Sequence, residues 1–221
     1  MQTLQYLHLL YMSKLLILFL LIGNYSFAQT TLRGDRHIET DNFQWDTINN
    51  SPNQIFNSKI KLDAISESKA KIDIRLYKKH GLSNTDNLRR IYMLKTIWYC
   101  NEFNELNSPP KINKYKLKIK TSFDSLLIKL LSYNITRLPN QSDLKGQMRK
   151  DVQIMKDGTS TSKQIISMDG NSYTIEIKIG SKFRVYQFDN PETYAKYYDN
   201  ISEYSDYLGI IKTFDNYLQR K

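Results

Sequence analysis

Three stretches of this chain alternate apolar and polar side chains with a period of two, and that alternation restricts the fold more than any other feature. Ala70, Ile72, Ile74 and Leu76 alternate with Lys71, Asp73, Arg75 and Tyr77. Tyr115, Leu117 and Ile119 alternate with Lys114, Lys116, Lys118 and Lys120, and Tyr173, Ile175, Ile177 and Ile179 alternate with Thr174, Glu176 and Lys178. Successive side chains of a strand point to opposite faces, so each stretch reads as a half-buried strand. Between the second and third, Phe123, Leu126, Leu127, Leu130 and Leu131 fall at helical spacing behind a cap at Thr121 or Ser122, and this helix should stop near Asn134, ahead of Pro139. Strands, a helix, more strands and C-terminal helices predict an α+β fold with antiparallel sheet.

The intervening residues supply the punctuation. His80-Gly81 and Ser83 to Asn87 read as a turn. Residues 89–103 suit either one long helix or two strands meeting near Lys95-Thr96, and their Ile, Tyr, Thr and Trp content favours the hairpin. Residues 140–162 form a polar connection with room for a flexible loop or a strand around Val152 to Met155. A strand from Gln164 to Met168, a turn at Asp169-Gly170 and a hairpin through Gly180-Ser181-Lys182 come next. A three-residue loop there keeps Phe183 and Val185 on the face of Ile177 and Ile179, and sets Glu176 diagonally opposite Arg184. Asn190 should cap a helix with Pro191 at its first position and Tyr194, Tyr197, Tyr198 and Ile201 on one side. A break at Asn200 or Ser202 leads to a second amphipathic helix ending at Leu218.

The N-terminus reads as a secretory signal. Lys14 precedes eight apolar residues, Leu15 to Ile22, too few for the ~20 needed to span a bilayer. Ser26 and Ala28 are the small residues of a cleavage site, so the mature chain starts at Gln29; Met12, directly before Ser13-Lys14, is an alternative initiator to Met1. The expected organisation is a signal peptide over 1–28, a polar irregular lead-in over 29–68 docking by its aromatics, and one α+β domain over 69–221, or two halves meeting near 140–162. The expected location is the periplasm or the exterior, with no membrane span after cleavage. Cys100 is the sole cysteine, which rules out an intramolecular disulfide and suits a buried filler.

Net charge is +10 and concentrated in one segment: residues 59–120 hold 15 basic and 6 acidic side chains, whereas 29–58 hold 2 and 4. The ladder Lys114, Lys116, Lys118, Lys120 could bind an anion, or simply be a solvated sheet face that blocks edge aggregation. Nucleic acid is disfavoured, because aromatics that would stack bases are not interleaved on the lysine face of this strand. The two mature-chain histidines, His37 and His80, have no ligand partners at metal spacing, and the few glycines form no phosphate loop, so neither a metal nor a cofactor is expected. Arg33-Gly34-Asp35 matches an adhesion tripeptide, a match that arises readily by chance. Hydrolysis by a carboxylate pair stays open, with Asp73, Asp157, Asp169, Glu176 and Asp189 available and Asp169, Glu176 and Asp189 the least arbitrary choice.

Ile72-Asp73-Ile74-Arg75, Trp98, Leu138-Pro139-Asn140-Gln141, Asp169-Gly170, Tyr173 to Ile177, Phe183 to Tyr186 and Asn190 to Tyr194 form a pattern across Lys69 to Leu218. It resembles a loose group of small exported Gram-negative bacterial proteins with no assigned activity. The resemblance implies an exported domain without familiar chemistry and adds no site residues. The sequence therefore favours a non-catalytic domain binding a protein or cell-envelope component. Its candidate surface is Tyr194, Tyr197, Tyr198 and Tyr204 of the C-terminal helices, or Arg184 and Tyr186 of the preceding strand, since Tyr gives contact area at low entropy cost. Helix-on-sheet packing with hydroxyls at the rim is the competing role.

Overall fold

The structure is a computed structural model that describes residues 45–47, 51–83, 85–107, 109–165 and 170–221. The signal-like segment, His37, the adhesion-like tripeptide and Asp169 lie outside the described residues. Residues 43–221 form one compact unit.

The architecture is α+β. In chain order the elements are α1 (Gln54–Lys59), β1 (Ile72–His80), β2 (Asp86–Leu94), β3 (Ile97–Asn107), β4 (Pro110–Ile119), α2 (Phe123–Ser132), β5 (Lys150–Ile154), β6 (Ser160–Lys163), β7 (Asn171–Ile179), β8 (Lys182–Asp189), α3 (Pro191–Tyr197), α4 (Ser202–Tyr217) and β9 (Leu218–Arg220). Seven strands make one antiparallel sheet in the order β8-β7-β1-β2-β3-β4-β9, and β5 and β6 form a separate exposed hairpin. Residues 89–103 are strands: Leu94 pairs with Ile97 across Lys95 and Thr96, with Lys95 in the left-handed region at φ 55°.

Register fixes two faces. One carries Ile72, Ile74, Leu76, Ile91, Ile175, Ile177 and Tyr186, and α2 and α4 pack on it through Leu126, Leu130, Tyr207, Ile210 and Phe214, all buried. Ser122 caps α2 by accepting from the Ser125 N–H, and Asn134, at φ 52°, lies just past its end. The alternation of β4 holds, with its lysines exposed and Leu117 buried.

The other face is polar in sequence yet also buried over half its width. Residues 51–68 lie across it: Phe56 packs with Tyr77, Leu88 and Phe103, and Ile65 is fully enclosed. Burying a side chain the size of Phe56 contributes about 2–3 kcal/mol, enough to hold a six-residue helix that could not persist alone. The part of the lead-in from Ser51 to Ser68 is thus a layer of the fold.

Three expectations are corrected. The β7–β8 loop has two residues, Gly180 and Ser181, because Ile179 pairs with Lys182. Phe183 and Val185 consequently share a face with Lys178 and Glu176, and Arg184 points to the opposite side from Glu176. Asn190 precedes α3 at φ 42° with no side-chain cap bond; its Oδ1 accepts from the Asn171 N–H instead. The last helix stops at Tyr217, and Leu218 to Arg220 pair with β4.

Candidate functional site

The polar side chains of the second face form a buried ionic network. Arg75, Asp73 and Glu176 are each 0 % exposed. The Arg75 guanidinium donates to Glu176 Oε2 at 3.0 Å, to Asp73 Oδ2 at 3.0 Å and to the Asp63 carbonyl at 2.9 Å. Glu176 also accepts from the hydroxyls of Ser51 and Tyr77, and Asp73 from Ser68. Lys178 donates to the carbonyls of Ser66 and Ser68. Burial pushes the Asp73 carboxyl up, but the Arg90 hydrogen bond and the charges of Arg75 and Arg90 outweigh it and hold the group below the usual carboxylate range. With both oxygens of Glu176 occupied and the group walled off, it is unavailable for proton transfer to an outside substrate. Asp189 and Asp157 are exposed, and Asp157 is spent on Thr159.

The network reaches the surface through Arg90, which donates to Asp73 at 2.9 and 2.7 Å from its Nε and Nη2. That bidentate grip holds the guanidinium carbon 3.9 Å from the Tyr92 ring centre, and Tyr92 stacks on Tyr99 at 5.2 Å and 18°. Asn101 donates to the Tyr92 hydroxyl at 3.1 Å. One row of register runs Glu176, Arg75, Arg90, Asn101, Lys116 across five strands, so the buried charges and the exposed lysines lie on one face.

Residues 51–68 cover only part of this face. Beyond them Tyr99 is 40 % exposed, Ile97 57 % and Leu94 37 %, beside the exposed Lys114, Lys116 and Lys118. The lysine row therefore does have aromatic neighbours on β3, where sequence adjacency could not reveal them: Phe103 pairs with Lys114, and Tyr99 faces Lys116 and Lys118 across an open cleft. Lys120, at the strand end, is also exposed.

The tyrosine candidates are placed differently. Tyr186, Tyr198 and Tyr204 are 0 % exposed, Tyr194 and Arg184 are buried, and only Tyr197 is half-buried. They stack as Tyr194 on Tyr198 and on Tyr204, and Tyr186 near Tyr207. The Tyr186 hydroxyl donates to the Ile135 carbonyl at 3.0 Å and Tyr207 to that of Pro139 at 2.5 Å, while Arg184 donates to the Leu138 carbonyl. These groups pin the connection after α2 to the sheet and to α4 and offer a partner little area; burial raises the Tyr186, Tyr204 and Tyr207 phenols.

A small polar cleft of about 150 Å³ lies on the helix side between Arg89, Asp215, His80 and Tyr173, and Arg89 is ion-paired to Asp215 there. Among the described residues no three of His, Cys, Asp and Glu group to hold a metal ion, and no helix is long and apolar enough to cross a membrane. Compared with family models, curated proteins and solved structures, the chain matches none.

Proposed function

We propose that the chain is an exported, non-catalytic domain that binds an acidic protein or cell-envelope component through the uncovered part of its large sheet. The observation that carries this is the coincidence, on one exposed patch, of a fixed Arg90–Tyr92–Tyr99 stack, the apolar Leu94 and Ile97, and the lysine row. Monomeric surfaces rarely cluster large apolar side chains, and a cationic rim selects an anionic partner and speeds encounter. Export, with the mature chain starting at Gln29, rests on the charge, apolar run and small-residue order of the first 28 residues, and fits the resemblance to small exported proteins. The carboxylate-pair reading loses support with Glu176 locked inside the ionic network.

The test is retention of envelope-extract proteins and glycans on the immobilised mature chain at low and high salt. A triple variant, Lys114→Glu, Lys116→Glu and Lys118→Glu, is run beside it. A retained species that the variant loses, while its circular dichroism is unchanged, is the expected result. Equal retention by the variant would sink the reading.

A further inference from the structure

The ladder between β3 and β4 ends before the strands do. Pairing runs from Asn107 with Pro110 to Asn101 with Lys116, yet β3 begins at Ile97 and β4 continues to Ile119. Between these ends lies a cleft of about 380 Å³, within the ~300–1,000 Å³ range of ligand sites.

The backbone directions follow from the bonds around it. Leu94 and Ile97 close a two-residue hairpin, whose closing pair exchanges both its hydrogen bonds. Backbone groups alternate between edges along a strand, so Trp98 and Cys100 aim their N–H and C=O away from β2 and at the cleft. On β4, the Lys120 N–H donates to the Tyr217 carbonyl and the Lys116 carbonyl accepts from the Lys221 N–H, both on the β9 side. Leu117 and Ile119, of opposite parity, therefore aim theirs at β3. Two strand edges face each other across a gap, with no ladder joining them. Such edges are templates for another strand.

The side chains give the gap two distinct walls. Toward the helices stand Trp98, stacked on Phe123 at 4.9 Å and 12°, and the buried Leu117. Toward the open face stand Tyr99, Lys116 and Lys118, with Lys221 also lining the cleft and no carboxylate among its lining side chains. An occupant strand has the same period of two, so it would place apolar side chains against Trp98 and acidic ones against the lysines.

We propose that this cleft accepts an extended segment of a partner protein, alternating acidic and apolar residues, by strand addition between β3 and β4. About four residues fit, at ~3.3 Å each. The proposal rests on the reading that this face is a binding surface, and narrows its partner to a peptide.

The test uses the mature chain, ¹⁵N-labelled, with a blocked seven-residue peptide of alternating Glu and Val as the probe. Two comparison peptides are the same sequence N-methylated at alternate residues and a Lys-Val alternation. Binding of the Glu-Val peptide, at least tenfold slower amide exchange at Trp98, Cys100, Leu117 and Ile119, and at least tenfold weaker binding after N-methylation are expected, with no binding of the Lys-Val peptide. Equal affinity of the N-methylated peptide overturns strand addition while leaving the wider surface reading intact. No binding of the Glu-Val peptide, where the envelope species is still retained and lost in the triple lysine variant, overturns it equally. Protection of the same amides that rises with protein concentration and no peptide would assign the cleft to a second copy of the chain, and so also overturn it.

Discussion

Arg75 bridges two carboxylates where water cannot reach, and Arg90, gripping Asp73, supplies the second positive charge that balances them. Replacing Arg75 by Met leaves Asp73 with Arg90 but takes from Glu176 the guanidinium it is buried against, and breaking a buried pair in this way costs about 3–5 kcal/mol. Urea unfolding of Arg75→Met should show that loss, whereas a change below ~1 kcal/mol would mean the network relaxes to water. The pH dependence has a fixed sign. Asp73 is held below its unfolded-state value, so its contribution is complete above the unfolded pKa near ~3.9 and is lost as pH falls through the folded one. The melting temperature of the wild type should drop below about pH 4 more steeply than that of Asp73→Asn. Burial, slightly countered by Lys221, pushes the Cys100 thiol up to about 12, so at neutral pH it should react with a disulfide reagent only on unfolding. A buried, packing role for Cys100 was readable from its aromatic neighbours in sequence. The partners of Glu176 were not, because a row that looks solvent-facing by alternation is here capped by residues 51–68, and alternation carries no record of what lies above a sheet.

Among the elements, periodicity identified β1, β4, β7 and α2 because each has one apolar and one polar side, and it placed the β2–β3 turn at Lys95-Thr96. It misjudged the β7–β8 loop for a physical reason: both faces of those strands are buried, so matching apolar sides no longer selects the register. The strand β9 is three residues long, too short to carry any period. Lys95 sits at φ 55°, a conformation costing a side-chain-bearing residue about 1–2 kcal/mol, so Lys95→Gly should stabilise the hairpin by up to ~1 kcal/mol in denaturant titration. Gly209 of α4 has the opposite sensitivity. A methyl there would fall 2.3 Å from the Tyr133 ring, so Gly209→Ala should push α4 off the end of α2 and cost about 1–3 kcal/mol.

Seen whole, the molecule spends its C-terminal tyrosines on its own core and leaves a cationic, partly aromatic sheet face uncovered. The sequence located the basic segment and the lysine row but favoured as its candidate surface a group of tyrosines of which the fold encloses all but Tyr197. Tyr99 went unnoticed because it meets the lysines only across the cleft between β3 and β4, and Tyr92 because it lies behind Tyr99, stacked on its ring. Binding through this face should weaken as salt rises, since its lysines are exposed and screened over ~8 Å at physiological ionic strength. The most direct measurement is lysine-acetylation footprinting of the chain from Gln29 onward, with and without envelope extract. Slower acetylation of Lys114, Lys116 and Lys118 in the extract, with Lys129 on α2 unaffected, is the predicted result. Uniform protection of all four, or none at the sheet lysines while Lys129 is shielded, would contradict it.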